Sequence, residues 1–231
     1  MVSITVTNVA PTLVLPNGNQ TILEGQTLTL ADLATFTDPG FDNPNNPNLP
    51  MLPDIADPKN ESFTYDIDWG DGRDPIVGAS VADLNGGPGT PSSGTIAGSH
   101  TYADDGVYTV TVTIYDDNGG SHTQTFTVTV SNVDPTLSVT PSTTTISEGG
   151  SVSFDAMFSD PGFDNPLNPT TPTTGDPLNE SFTFDVDWGD GRDAIVGMSV
   201  ADINGGVGVD STGMFGASHT YADDGVYTVT V

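Results

Sequence analysis

The chain carries at residues 61–87 the stretch ESFTYDIDWGDGRDPIVGASVADLNGG, which returns at 180–206 as ESFTFDVDWGDGRDAIVGMSVADINGG with five of 27 positions changed. A second block, SHTYADDGVYTVTV, is identical at 99–112 and 218–231. Repetition at this spacing divides the 231 residues into two copies of one domain. Each copy is roughly 100 to 130 residues long, enough for a hydrophobic core of its own.

The local pattern inside these blocks has a period of two residues. SFTYDIDW at 62–69 alternates apolar and polar side chains, as a strand with one buried face does. The face predicted to be buried consists of Phe63, Tyr65, Ile67 and Trp69. The chain is also rich in Thr, Val, Gly and Pro and shows no long helical period, which favours an all-β fold with little helix.

A hairpin and a corner indicate the type of β fold. VYTVTVTIY at 107–115 and HTQTFTVTV at 122–130 alternate in the same way, and the connection DDNGGS between them is typical of a β-hairpin turn. Tyr108 follows Asp104-Asp105-Gly106 with the spacing of a tyrosine corner, in which the hydroxyl bonds back to nearby backbone. We therefore predict tandem immunoglobulin-like β-sandwiches.

Three motifs present in both copies resemble one known family. DWGDG at 68–72, SHTYADDGVYTVTV at 99–112 and NVAPT at 8–12 (NVDPT in the second copy) are similar to PKD-type immunoglobulin-like repeats of large bacterial and archaeal extracellular surface proteins. The resemblance implies PKD-like sandwiches that serve as stalks, adhesin arrays, surface-layer modules or spacers beside secreted hydrolases. The Asn/Pro-rich segments at 45–60 and 167–179 depart from the usual pattern, and we expect them to carry what is particular to this protein.

Further matches between the copies set the domain boundaries. VTNVAPTL at 6–13 corresponds to VSNVDPTL at 130–137, and DPGFDNP occurs at 38–44 and 160–166. The predicted organisation is a G-like strand of a preceding repeat, or a donor strand, at 1–7, a first sandwich at 8–133, and a second sandwich without its last strand at 134–231.

Charge and cysteine content exclude several classes of protein. The chain has 31 Asp+Glu against 3 Lys+Arg, a net charge of -28, which opposes binding to nucleic acid and to anionic membrane surfaces. The absence of cysteine excludes disulfides, zinc thiolate sites and thiol nucleophiles. His100 and His219 occupy the same repeat position, where a structural role is expected, and no carboxylate pair stands out, so we expect no enzymatic activity.

Most of these carboxylates cannot have a cationic side chain as partner, so counter-ions must come from solution. Ca²⁺ is the expected cofactor, because it takes six to eight oxygen ligands, often from Asp and Glu in Gly-rich loops. In an immunoglobulin-like topology the candidate ligands collect at the ends of the sandwiches and at the linker between them. They are Glu24, Asp38, Asp42, Asp68, Asp71, Asp74, Asp104, Asp105, Asp116, Asp117, Asn132, Asp134, Glu148, Asp160, Asp164, Asp187, Asp190, Asp223 and Asp224.

At the linker we expect Asn132 and Asp134 to face Asp160 and Asp164, so that a bound calcium would stiffen the joint. Two roles that involve no metal also remain open for the acidic residues. Asp-Gly and Asp-Asn pairs are ordinary turn residues that need no ion. An acidic surface also keeps the proteins of salt-loving organisms soluble.

The two ends of the sequence suggest self-association. Residues 2–6 align with 126–130, the last strand of the first copy, whereas Val231 aligns with Val112 inside the preceding strand. Either the sequence belongs to a longer array, or the strand at 2–6 of one subunit completes the open sandwich of the next. The expected partners are therefore copies of the chain in a head-to-tail fibre, or neighbouring repeats of the same chain.

The function expected from these features is that of an extracellular or cell-surface structural repeat, part of a fibre, stalk or adhesin array. It would be rigidified by calcium and assembled by β-strand donation. The alternative is an accessory carbohydrate- or protein-binding module of a secreted enzyme. Exposed aromatic side chains on a flat face would favour that alternative, and Phe41 and Phe163 are the obvious loop aromatics.

Overall fold

The computed structural model describes residues 2–46, 60–168 and 179–231. Within these ranges the chain forms β-strands and no helix, which confirms the all-β prediction. None of the described residues belongs to a helix long and apolar enough to cross a membrane. The Asn/Pro-rich segments at 45–60 and 167–179, which we expect to carry what is particular to this protein, lie mostly outside the described residues.

The strands of the first sandwich are β1 (Thr12–Val14), β2 (Gln20–Leu23), β3 (Thr27–Asp38), β4 (Phe63–Asp68), β5 (Ile76–Ser80), β6 (Asp83–Leu84), β7 (Ser92–Thr101), β8 (Gly106–Asp116) and β9 (Ser121–Ser131). One sheet has the order β1-β3-β7-β6 and the other the order β2-β9-β8-β4-β5. The hairpin predicted from alternation is β8 and β9, paired antiparallel from Gly106 opposite Val130 to Tyr115 opposite Ser121. Strand β2 runs parallel to β9 at the edge of the second sheet.

The core of the first sandwich lies between these two sheets. The predicted apolar face of β4 and the following Trp69 points into it: Phe63, Ile67 and Trp69 are at most 2% exposed, whereas Tyr65 is only partly buried. The turn after Trp69 must come close to β8, because a Cβ on Gly70 would lie 2.5 Å from the carbonyl oxygen of Thr109. Gly70 has a φ of 85°, which favours glycine, so the DWGDG motif is explained by this close approach.

The strands of the second sandwich are β10 (Thr136–Pro141), β11 (Ser151–Asp160), β12 (Phe182–Val186), β13 (Ile195–Val200), β14 (Asp202–Ile203) and β15 (Ser211–Thr220). Its sheets have the orders β10-β11-β15-β14 and β12-β13. The core contains Phe154, Val186, Trp188 and Tyr221. No described strand occupies the position that β9 has in the first sandwich, and an isolated bridge joins Asp187 to Thr230.

The tyrosine corner is present in both copies, as predicted. The Tyr108 hydroxyl donates to the Asp104 carbonyl at 2.9 Å, and the Tyr227 hydroxyl donates to the Asp223 carbonyl at 3.2 Å. Each bond ties the turn before β8, or its counterpart in the second copy, to the tyrosine four residues further along the chain. The acidic pair of each turn is therefore held at a defined position.

Candidate metal site at the joint between the sandwiches

The two sandwiches meet end to end. We call the end of a sandwich that carries the DPGFDNP loop its head, and the end that carries the tyrosine corner its tail. The head of the second sandwich contacts the tail of the first: Phe163 N–H donates to the Ala103 carbonyl at 3.0 Å, and Asn165 Nδ2 donates to the Asp71 carbonyl at 3.0 Å. Phe163 is 2% exposed, and the Arg73 guanidinium lies 5.0 Å from the centre of its ring.

A glycine at the tail allows this contact. A Cβ on Gly25 would lie 2.6 Å from the carbonyl oxygen of Pro161 in the second sandwich, and Gly25 has a φ of 69°. Its counterpart Gly149 has a φ of 73°, but nothing lies within 4 Å of the position of its Cβ. Comparison of Gly25 with Gly149 therefore separates the effect of backbone strain from the effect of contact across the joint.

We expect Gly25→Ala to destabilise the protein more than Gly149→Ala. Both substitutions impose the cost of a positive φ on alanine, of the order of 1 kcal/mol. Only Gly25→Ala also displaces Pro161, which costs about 1–3 kcal/mol more, as overpacking does. Urea unfolding of the two variants measures the difference, and equal losses would show that Gly25 has no role in the joint.

Three carboxyl groups from different parts of the chain converge at this joint. Glu24 lies in the turn between β2 and β3, Asp104 lies in the tyrosine corner, and Glu180 precedes β12. One carboxylate oxygen of each lies within 4.8 Å of the others. We call these three residues the joint cluster. Its ligands come from both sandwiches, so an ion bound there would connect them.

Glu24 is the most constrained member of the joint cluster. It is 1% exposed, and its Oε1 accepts the backbone N–H of Val133 in the linker at 2.6 Å. Its Oε2 is buried and has no hydrogen-bond donor among the described residues. A buried carboxylate oxygen without a donor is costly, and a bound cation would compensate it.

The electrostatics of the joint cluster also favour a positive charge. Burial and the nearby Asp160 and Asp104 raise the pKa of Glu24 to about 7. Burial, Asp104 and Glu24 raise the pKa of Glu180 to about 8. Burial raises the pKa of Asp104 to about 6. At neutral pH the site must therefore hold protons or a cation to relieve the repulsion between its carboxylates.

A second group of carboxyls lies at the head of the first sandwich, and we call it the head cluster. It consists of Asp38, Glu61, Asp116 and Asp117. Asp38 is 1% exposed, and no donor among the described residues reaches Asp38 Oδ2, Glu61 Oε1 or Asp117 Oδ1. Burial, Asp117 and Asp38 raise the pKa of Glu61 to about 7. The Asp116 carboxylate instead accepts bonds from Asn8, Asn118 and Gly120.

A third group lies at the tail of the second sandwich, and we call it the tail cluster. Glu148, Asp223 and Asp224 are all exposed and are close enough for one oxygen of each to share an ion. They occupy the repeat positions of Glu24, Asp104 and Asp105. The tail cluster is thus the counterpart of the first-sandwich half of the joint cluster.

Several of the predicted ligands act as turn residues in the structure. Asp68 and Asp187 accept the N–H groups of Gly70 and Gly189, and Asp42 and Asp164 accept those of Glu61 and Glu180. Asp74 has a positive φ of 48° in a turn. These contacts are the ordinary turn chemistry that the sequence left open as an alternative.

Asp71 and Asp190 have a different partner. Asp71 Oδ2 lies 2.8 Å from His100 Nε2, and Asp190 Oδ2 lies 2.8 Å from His219 Nε2. Each imidazole stacks on a buried tryptophan, with ring centres 5.1 Å apart. The surroundings of His100 and His219 therefore fit the structural role predicted from their equivalent repeat positions.

The residues predicted to meet at the linker have different surroundings in the structure. Asp134 is close enough to Asp160 to raise its pKa, although burial is the larger cause. Asn132 is exposed, and the Asp164 carboxylate accepts the backbone N–H of Glu180. Asp105 contributes to the raised pKa of Glu24.

Two cluster members were absent from the predicted ligands. Glu180 and Glu61 are the first residues of the long repeated block, ESFT. They were missed because a glutamate before a strand carries no ligand spacing of its own. The sequence did offer one signal: the same glutamate occurs in both copies of a chain that has very few cationic residues.

Comparison with known proteins supports the fold. Residues 89–131, which include β7, β8 and β9, match the family named He_PIG, "Putative Ig domain". A search among curated proteins gave no match to the chain. The tandem immunoglobulin-like sandwich architecture is thus supported by strand order, tyrosine corner and family match together.

Proposed function

We propose that this protein is a structural repeat of an extracellular or cell-surface assembly, a fibre, stalk or adhesin array, in which calcium fixes consecutive sandwiches end to end. The observation that carries the proposal is Glu24 Oε2, which is buried without a donor among the described residues and lies in one cluster with Asp104 and the second-sandwich Glu180. A chain whose function is to hold repeats in line needs a rigid joint, and an ion bridging both repeats supplies one.

Calcium suits this joint better than other cations do. The available ligands are carboxylate oxygens, which hard cations prefer, and no thiol exists in the chain. Calcium also accepts irregular, flexible coordination in which water completes the ligand set. The head cluster offers the same chemistry, with three buried carboxylate oxygens that lack a donor among the described residues, and we include it as a second calcium site.

The accessory-module alternative has less support. Carbohydrate binding commonly uses exposed aromatic platforms, as aromatic side chains stack on flat apolar faces. Of the two loop aromatics, Phe163 is buried in the joint and Phe41 is 38% exposed. A single partly exposed phenylalanine is a weak platform, whereas the buried Phe163 serves the contact between repeats.

A double variant tests the joint site. Glu24→Gln with Glu180→Gln removes two carboxylates from the joint cluster, so we expect one calcium fewer by titration calorimetry and a smaller calcium-induced rise in Tm. Without calcium the variant should melt higher than the wild type, because the repulsion is removed. The matched control is Asp32→Asn with Asp155→Asn, which removes the same charge from exposed positions.

The calcium proposal for the joint would be overturned if the double variant and the control bound as many calcium ions as the wild type. Small-angle scattering adds a readout of shape. Wild-type and control protein should become more extended and rigid with calcium than with chelator, whereas the Glu24→Gln, Glu180→Gln variant should give the same curve in both.

A further inference from the structure

A buried asparagine of the second sandwich reaches into the tail of the first. Asn165 is 1% exposed, and its Nδ2 donates to the backbone carbonyl of Asp71 at 3.0 Å and, more weakly, to the Asp71 carboxylate Oδ2 at 3.5 Å. Its Oδ1 accepts the N–H of Leu167, and its backbone carbonyl accepts the N–H of Asn168. These bonds hold the Asn165 side chain within its own turn, so that its Nδ2 is presented to the first sandwich.

The acceptor of this contact belongs to a stack that the first sandwich builds from its own core. Asp71 is 1% exposed, its Oδ1 accepts the N–H of Arg73, and its Oδ2 lies 2.8 Å from His100 Nε2. The His100 ring lies flat on Trp69 at 5.1 Å and meets Tyr102 edge to face at 4.7 Å, both between ring centres. The position of the Asp71 carboxylate is therefore fixed from inside the first sandwich.

The same acceptor geometry occurs in the second sandwich, at the opposite end from Asn165. Asp190 Oδ2 lies 2.8 Å from His219 Nε2, and Asp190 Oδ1 accepts the N–H of Arg192. The His219 ring stacks on Trp188 at 5.1 Å. Because Asn165 does not contact that tail, the geometry of the acceptor does not depend on the asparagine. Docking of Asn165 on Asp71 thus meets a preorganised acceptor.

The rest of the loop fits the same tail closely. Asn168 is 7% exposed, and its Nδ2 donates to the Tyr108 hydroxyl at 3.5 Å. The carbonyl oxygen of Leu167 approaches Gly72 so closely that a Cβ on Gly72 would overlap it. The Tyr108 hydroxyl in turn donates to the carbonyl of Asp104, a member of the joint cluster. The loop thus contacts the tail through shape and through hydrogen bonds that need no ion.

We propose that Asn165 is a latch that closes the joint without calcium, and that calcium binds to a joint already closed. The joint cluster requires Glu180 beside Glu24 and Asp104, and these ligands belong to different sandwiches. A contact that holds the sandwiches together brings the ligands together before the ion arrives. Asn165 is then a positioning residue, which raises the affinity of the joint for calcium without touching the ion. In its calcium part this inference rests on the proposed function.

The coupling between latch and ion follows from an exchange between a closed and an open joint. If only the closed form assembles the calcium site, the apparent Kd equals the intrinsic Kd divided by the closed fraction. Loss of the latch lowers the closed fraction and raises the apparent Kd by the same factor, and calcium must stabilise the latch contact by that factor in return. A buried polar group without its partner changes such an equilibrium by about tenfold or more.

Asn165→Asp tests the latch, with Asn43→Asp as the matched control. The new carboxylate would face both the carbonyl and the carboxylate of Asp71, so repulsion should open the joint. Asn43 is exposed and lies in the same FDNP context of the first repeat, so its variant adds the same charge away from the joint. Asn165→Ala removes the donor without adding charge, and we expect a smaller change in the same direction.

Calorimetric titration of calcium separates the latch from plain electrostatics. An added negative charge near a cation site ordinarily tightens binding, whereas the latch requires Asn165→Asp to weaken calcium binding at the joint by about tenfold or more. The joint site is identified as the one that the Glu24→Gln, Glu180→Gln variant loses. Asn43→Asp should leave its affinity unchanged. Equal or tighter calcium binding at this site in Asn165→Asp would overturn the coupling.

Hydrogen exchange in chelator tests the latch without any ion. The Phe163 N–H donates to the Ala103 carbonyl across the joint at 3.0 Å, so exchange of this amide reports opening of the joint. It should exchange about tenfold or more faster in Asn165→Asp than in the wild type or Asn43→Asp, while the amides of β8 exchange at the wild-type rate. Equal Phe163 protection in all three proteins would overturn the latch.

The two measurements distinguish failure of the latch from failure of the proposed function. Faster Phe163 exchange in Asn165→Asp, in a protein whose wild type binds no calcium at the joint, would support the latch and overturn the calcium site. Equal Phe163 protection, with calcium bound at the joint of the wild type, would overturn the latch and leave the proposed function in place.

Discussion

With calcium chelated, the protein is expected to melt at progressively lower temperature as the pH rises from about 4.5 to about 8. Glu24 and Glu61 have pKa values of about 7, and Glu180 has a pKa of about 8, against 4.5 for an ordinary glutamate, with burial as the main cause. Between these values the folded state binds more protons than the unfolded state, so the free energy of unfolding falls as the pH rises. A shift of one pKa unit corresponds to about 1.4 kcal/mol, and a fall in Tm of at least about 5 °C is expected for a chain of this size.

Calcium should reverse this trend. The ion binds the ionised carboxylates, so its affinity rises as the pH rises through the same range. At a free concentration of about 1,000 times Kd, each site adds about 4 kcal/mol to the free energy of unfolding. The difference in Tm between calcium and chelator should therefore be small near pH 5 and largest near pH 8.

Differential scanning calorimetry over this pH range, with calcium and with chelator, measures both effects at low salt. Glu24→Gln with Glu180→Gln should flatten the chelator profile in part, because the head cluster still titrates. A wild-type profile in chelator that is flat, or that rises with pH, would contradict the assignment of strained carboxylates at the joint. Identical profiles with and without calcium would contradict the metal sites.

Phe163→Ala should lower the stability of the protein much more than the same change at Phe41. Phe163 is 2% exposed, packs beside the Arg73 guanidinium, and donates its N–H to the Ala103 carbonyl. Truncation of a buried phenylalanine costs about 3–5 kcal/mol, which corresponds to a fall in Tm on the order of 10 °C for a chain of this length. Phe41, at the equivalent position, is 38% exposed and should cost about 1 kcal/mol or less.

The comparison isolates the joint because the two loops have the same sequence, DPGFDNP. Melting should be measured on dilute protein, at the same calcium concentration for both variants. Small-angle scattering should show that Phe163→Ala loosens the pair of sandwiches while Phe41→Ala leaves it unchanged. Equal losses of Tm in the two variants would mean that Phe163 stabilises only its own loop.

Secondary structure could be predicted from local residues because strand patterns are local. The alternation in VYTVTVTIY at 107–115 and the turn DDNGGS specify the β8–β9 hairpin within one stretch of chain. The spacing from Asp104 to Tyr108 is likewise enough for the tyrosine corner, whose hydrogen bond spans four residues. The two copies themselves are evident from sequence identity.

The grouping of the carboxylates was less predictable because it depends on distant residues. Glu24 and Glu180 are 156 positions apart in the sequence, 180 − 24, and they meet only because the sandwiches pack end to end. Sequence reasoning selected Glu24 and Asp104 as candidate ligands at the ends of the sandwiches but gave no reason to select Glu180. Asp68 and Asp187, which were also predicted ligands, accept the turn N–H groups of Gly70 and Gly189 instead.

The sequence by itself determined the two all-β repeats, their matching loops and their excess of negative charge, because composition, alternation and repetition are properties of the order of residues in the chain. Only the tertiary structure decided which carboxylates are buried without a donor in the described part of the chain and which repeat surfaces are in contact. The physical reason is that burial and electrostatic repulsion depend on distances in space. Phe41 and Phe163, identical in sequence context and different in exposure, show this most directly.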